Sequence, residues 1–159
     1  MDIYSRIYGK ISFYNMGAGM AGSNYDLLEH TADVAILVRA KSLEGLFVNT
    51  AAAMFEILAD PRRDKGGARV STHISQSAAD REELLVNWLN ELLFFSASQE
   101  VVFRDFKIIS INEHSLEAEA FGFPVASCEI HIEIKAATFH ELSISGDGEN
   151  WQAKVVFDV

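Results

Sequence analysis

The run Glu29-His30-Thr31-Ala32-Asp33 stands immediately before an apolar stretch, and its residue types can do chemistry. A carboxylate at the edge of a buried strand can ligate a hard cation through oxygen, and a histidine there can ligate or carry a proton. Asp33 and His30 fit those roles. They equally fit a turn aspartate bonding nearby N–H groups and a packed imidazole ring. A second acidic position lies at the far end, where Trp151–Val159 reads as a strand. A strand running to the last residue sets the Asp158 carboxylate beside the terminal carboxylate of Val159. Such a pair attracts a divalent cation and is costly without one.

The third constellation is Glu129-Ile130-His131-Ile132-Glu133-Ile134-Lys135-Ala136. Its period-two alternation predicts Ile130, Ile132 and Ile134 toward the core, with Glu129, His131, Glu133 and Lys135 on the opposite face. That face is either solvated or a polar floor able to hold a cation or a phosphate-bearing ligand. The stretch Gly17-Ala18-Gly19-Met20-Ala21-Gly22 matches G-x-G-x-x-G, but no helical stripe follows it and the chain does not alternate βαβ. It therefore reads as a linker. No nucleophile elbow, Walker loop or H-E-x-x-H is present, and His73, His114 and His140 are scattered singly.

The elements that must position these residues follow from periodicity. Residues 1–24 read as an extension or an added strand outside the main pattern, ending in a flexible glycine-rich stretch, and 25–159 as one domain. Val34–Val38 reads as a strand buried on both faces. Ser42 is placed to cap a helix over Leu43–Ala59, with the stripe Leu43, Leu46, Phe47, Ala51, Met54, Phe55 and Leu58 and a stop at Asp60-Pro61. The linker Arg62–Ala68 follows, then a short strand around Val70–Ile74. Asp80, with Glu83 three residues on, opens a second helix striped by Leu84, Leu85, Trp88, Leu89, Leu92, Leu93 and Phe95. Five extended segments follow, at Val101–Ile111, Ser115–Phe121, Cys128–Ala136, Phe139–Ser145 and Trp151–Val159, with Gly146-Asp147-Gly148 turning between the last two. The expected class is α+β, a single domain with two helices packed on one face of a mixed β-sheet.

Charge and composition narrow the function. Thirteen Lys and Arg against 23 Asp and Glu leave a net charge of −10, a field that repels a polyanion and suits cations or a basic partner. Direct tight nucleic-acid binding is not expected. The single cysteine, Cys128, excludes an internal disulfide framework and a cysteine-rich zinc site. The absence of a long apolar run argues against a membrane span, and a reducing cytoplasmic setting is the expectation.

Taken together, several segments resemble one known family. His30-Thr31-Ala32-Asp33-Val34 resembles the H-T-A-D-[IV] opening of the archease family, and Ala51-Ala52-Ala53-Met54-Phe55 and Leu84–Leu93 are similar to its two helices. Glu133-Ile134-Lys135-Ala136-Ala137-Thr138-Phe139-His140 resembles its E-[IV]-K-A-x-T-[YF]-H segment, and Val155–Val159 its terminal hydrophobic-Asp-hydrophobic. Three departures stand out: Ala35 replaces a common glycine, residues 1–24 have no counterpart in a minimal member of the family, and Phe121–Cys128 differs from the usual acidic G-E-x-x-D loop.

The resemblance implies an activator of the RtcB-type RNA ligase, promoting ligase guanylylation and multiple turnover in tRNA splicing and RNA repair, without being an enzyme itself. It also implies a divalent metal ion (Ca, Mg or Mn) on Asp33 and Asp158, and maps a motif lysine onto Lys135. Two rivals remain: a metal-independent, chaperone-like adaptor, and a small metal-dependent phosphoester hydrolase using Asp33, His30 and Asp158.

Overall fold

The structure is a computed structural model that describes residues 25–28, 33–60 and 67–159. In chain order the elements are β1 (Tyr25–Leu28), β2 (Val34–Ala40), α1 (Leu43–Leu58), β3 (Ala59–Asp60), β4 (Val70–Ser77) and α2 (Arg81–Gln99). They continue as β5 (Val101–Ile111), β6 (Ser115–Pro124), a 3-10 turn (Val125–Ser127), β7 (Glu129–Ile130), β8 (Ala136–Asp147) and β9 (Asn150–Asp158). The class is α+β, a single domain with two helices.

The helices start where the capping residues say. The Ser42 hydroxyl accepts from the Gly45 N–H at 2.9 Å, opening α1. Asp80 accepts from the Glu83 N–H at 2.8 Å, while the Glu83 carboxylate reaches back to the Ala79 N–H at 2.6 Å. The bonds to Gly45 and Glu83 satisfy N–H groups that a helix's first turn leaves open, and the bond to Ala79 ties the chain just before the cap. α1 stops at Leu58, as Asp60-Pro61 requires, and passes straight into β3.

The expected single mixed sheet divides into three. Among the described residues all pairing is antiparallel, in the orders β1-β2-β9-β8, β4-β6-β5 and β3-β7. The two larger sheets share no strand, and the helices join them. α1 packs on β2 and β9 of one sheet and on β5 of the other; α2 packs on β8 and on β4, β5 and β6. This explains why α1 buries more than its expected stripe: Thr50, Ala53 and Ile57 are also buried.

At the helix crossing, Trp88 is fully buried, and its indole N–H donates to the Phe47 carbonyl at 3.1 Å. Phe106 meets Trp88 edge-on at 6.0 Å and stacks on Phe55 at 6.0 Å, and Phe55 meets Phe103 edge-on at 5.7 Å. The aromatic contacts tie α1, α2 and β5 together.

The segment 128–136 differs most from expectation. Only Glu129 and Ile130 form a strand, paired with Asp60 and Ala59. Beyond them the chain turns, with the His131 and Ile132 N–H groups both directed at the Leu58 carbonyl. Alternation therefore does not carry through: Ile130 is exposed, Ile134 is buried, and the expected common face of Glu129, His131, Glu133 and Lys135 is not built. The β8–β9 hairpin closes at Gly148, whose φ of 59° suits glycine. Two residues earlier, a Cβ on Gly146 would sit 2.1 Å from the Trp151 ring, so the bare backbone is what lets the indole lie across β8.

Among the described residues no helix is long and apolar enough to cross a membrane. The glycine-rich 17–22 stretch, Arg62, Arg63 and Lys65 of the expected linker, and His30 lie outside the described residues.

Two outcomes are expected. Asp80→Ala should lower unfolding free energy by about 1 kcal/mol in a urea titration, the usual cost of a lost N-cap. The second concerns the Tyr25 hydroxyl, held well above the ordinary phenol range by burial and then by the charge and hydrogen bond of Glu56. Its neutral form is favoured in the folded chain, so its stabilising contribution is intact below the unfolded phenol pKa and fades as pH rises above it. Tyr25→Phe should flatten this alkaline limb of the stability curve.

Candidate functional site

Three strand ends meet at one edge of the four-stranded sheet. β2 begins at Val34, paired with Phe157 of β9; one step further out, the chain carries Asp33 on one side and Asp158 on the other. On the other flank of β9, Ala136 of β8 pairs with Asp158, and the Lys135 N–H donates to the Asp158 carbonyl at 2.8 Å. Residues 33, 135 and 158 thus come from three adjacent strand ends, though they are far apart in the chain.

The physical basis is the apolar pull of the strands behind them. Val34, Ile36, Val155 and Phe157 are fully buried in the main core, and Val159 packs against it. Val156 is also fully buried, although alternation assigns it to the polar face; its cross-strand neighbours there are Ala35 and Thr138. An end anchored on both faces does not fray.

The polar groups differ in setting. Asp33 is half-buried, and Asp158, Glu133 and Lys135 are exposed. Lys135 shares its setting with Lys41 and Lys107, which are also exposed and without an ion pair among the described residues. Arg39, Arg69, Arg81 and Lys154 are paired with Asp26, Asp105, Glu113 and Glu141, whereas the Lys135 ammonium makes no ion pair among the described residues. Its charge is therefore available at the surface.

The donor chemistry of Asp33 and Asp158, carboxylate oxygen, fits a hard divalent cation. Among the described residues, however, no group of three or more His, Cys, Asp or Glu side chains is gathered closely enough to hold a metal. A cation here would need further oxygen ligands from backbone carbonyls, water or a partner.

Two supporting residues had no flag in the periodicity reading. Asn90, on α2, receives the Ala137 N–H at 2.8 Å and donates to the Ala137 carbonyl at 3.1 Å. The Thr138 hydroxyl donates to the Val156 carbonyl at 2.9 Å. The available signal was an amide side chain set into the apolar helical run Leu89-Asn90-Glu91-Leu92.

Comparison with known proteins gives a consistent result. The sequence profile of the Archease protein family (MTH1598/TM1083) matches residues 25–159. Protein archease of Methanosarcina barkeri is 36% identical over 144 residues, covering 87% of this chain and 97% of that one. Protein archease of Sulfolobus acidocaldarius is 31% identical over 140 residues, covering 86% and 99%. Among solved structures, Methanobacterium thermoautotrophicum protein 1598 superposes with a TM-score of 0.68 at 28% identity, covering 87% of this chain and all of that one. A Thermotoga maritima archease, described as a possible chaperone, shares the fold with a TM-score of 0.55 at 21% identity, covering 89% and 99%.

Because the Lys135 side chain is exposed and makes no ion pair, Lys135→Ala should change unfolding free energy by no more than about 0.5 kcal/mol. Chemical denaturation checks this, and it makes the variant a clean probe of function.

Proposed function

The chain belongs to the archease family, and from that premise we propose that it activates an RtcB-type RNA ligase. It promotes guanylylation and multiple turnover of that enzyme, in tRNA splicing and RNA repair, without catalysing ligation itself. The observation that carries the reading is the convergence of Asp33, Lys135 and Asp158 at three neighbouring strand ends.

Asp33 and Asp158, with Val159 behind them, would hold a divalent cation (calcium, magnesium or manganese), which would supply positive charge against phosphate oxygens when bound. The remainder of the chemistry belongs to this chain's own groups. By register the Asp33 and Asp158 positions lie opposite each other at the ends of β2 and β9, and Lys135 offers an ammonium that can meet a nucleotide phosphate as a point charge. His30 and Glu133 flank the same sequence motifs and are assigned supporting polar roles. A tenfold faster step needs only about 1.4 kcal/mol off a barrier, within reach of one well-placed charge. The net charge of −10 suits a basic face on a protein partner and disfavours RNA as the direct ligand.

The test is a multiple-turnover RNA ligation assay with the RtcB-type ligase from the same source, GTP and metal, with and without this protein. Wild type should stimulate turnover, and Asp33→Ala or Asp158→Ala should lower the stimulation by about tenfold or more. Full stimulation by both variants would replace this reading with a metal-independent adaptor. Turnover of a phosphoester by the protein alone would favour the hydrolase.

A further inference from the structure

We propose that Asn90 is a positioning residue for this site: it clamps the start of β8 so that Lys135 stays over the end of β9. The inference rests on the activator reading above and deepens it.

β8 is the outer strand of its sheet, so half of its backbone groups face away from β9. Its pairing is also broken. Ala136, Ala137 and Thr138 pair with Asp158, Phe157 and Val156, and pairing resumes only at Ser143 with Lys154. Residues 139–142 therefore bulge out against the single residue Val155, with Phe139 exposed and Glu141 at a φ of 50°. The excursion separates Ala136–Thr138 from the rest of its own strand. A piece this short has few ladder bonds to hold it.

Asn90 supplies what the missing neighbour would. Its amide takes both outward backbone groups of Ala137, accepting the N–H at 2.8 Å and donating to the carbonyl at 3.1 Å. One side chain thus occupies the place of a further strand, and it does so from a helix fixed at several points. Asp80 caps α2, and Trp88, two residues before Asn90, is buried and bonded to the Phe47 carbonyl. Lys135 lies two residues from Ala137 and is bonded through its N–H to the Asp158 carbonyl. The chain of contact therefore runs from the core through Asn90 and Ala137 to Lys135 and Asp158. Asn90 touches neither a cation nor a nucleotide in this scheme; it acts through the backbone.

The discriminating experiment compares Asn90→Ala with Asn87→Ala. Asn87 lies on the same helix and also bonds a strand backbone, donating to the Ser77 carbonyl of β4 at 3.3 Å, in the other sheet. Guanylylation of the ligase is measured over a concentration series of each full-length protein. Asn90→Ala should lower the maximal stimulation by about tenfold, with the half-saturating concentration held within about twofold. Asn87→Ala should keep both. A merely structural loss would do the opposite, raising the half-saturating concentration and sparing the maximum.

Amide hydrogen exchange gives a second readout that needs no ligase. In Asn90→Ala, exchange at Lys135 and Ala137 should quicken by about tenfold relative to Val34–Val38 in β2. Unchanged maximal stimulation, equal loss in both variants, or unaltered exchange at Lys135 and Ala137 would overturn the clamp. Wild type that fails to stimulate would overturn the activator reading instead, and the functional role of the clamp with it. Faster exchange in that case would still mark the clamp as a local structural device.

Discussion

Two sheets that share no strand need something between them, and here it is the crossing of the helices around Trp88. The indole reaches α1, where the Phe47 carbonyl satisfies its N–H within the core, and β5, where it meets Phe106 edge-on. A buried indole without a partner for its N–H would forfeit much of what its apolar surface contributes. Phe55, Phe103 and Phe106 extend the contact from the helices into β5. With both helices held there, each can press one face on the β1-β2-β9-β8 sheet and another on β4-β6-β5.

That arrangement lets a polar site sit on rigid backbone. The strand order in the first sheet sets residues 33, 135 and 158 on neighbouring chain ends, and the apolar residues behind them are fully buried. Part of the surface charge elsewhere is engaged. Arg39, Arg69, Arg81 and Lys154 all meet carboxylates, contacts that are worth little when exposed, while Lys41, Lys107 and Lys135 are exposed and make no ion pair among the described residues. Lys135, exposed and without an ion pair among the described residues, is a better candidate for contact with an external anion than any of these four.

The edge strand carries the main irregularity. Four residues of β8 against one of β9 is a large excursion for a hairpin, and it divides the strand into a long distal part and a short proximal part. Bulges blunt edges against stray pairing. Here the excursion also leaves the proximal part dependent on a side chain from α2, so helix packing and the geometry of the strand ends are coupled through one amide.

Much of this was legible in the sequence. Both helices, their Ser42 and Asp80 caps, the stop before Pro61, the full span of β5 and the docked β9 follow from local periodicity and capping chemistry, which depend on residues within one or two turns. Asp33 and Asp158 were also identifiable as acidic residues at strand ends, and the family motifs gave Lys135. The failure at 128–136 has an equally physical cause. Its alternating pattern satisfies the rule for a strand, but a strand exists only where a partner offers a ladder, and β3 is two residues long. The burial of Val156 and the Asn90–Ala137 clamp likewise depend on what lies opposite, not on neighbours in the chain. Local order, the helix boundaries and the identity of the chemical groups were thus set by the sequence alone. Only the tertiary structure decided which strand ends adjoin and which backbone groups need a side chain to complete them, because those are properties of pairs far apart in the chain.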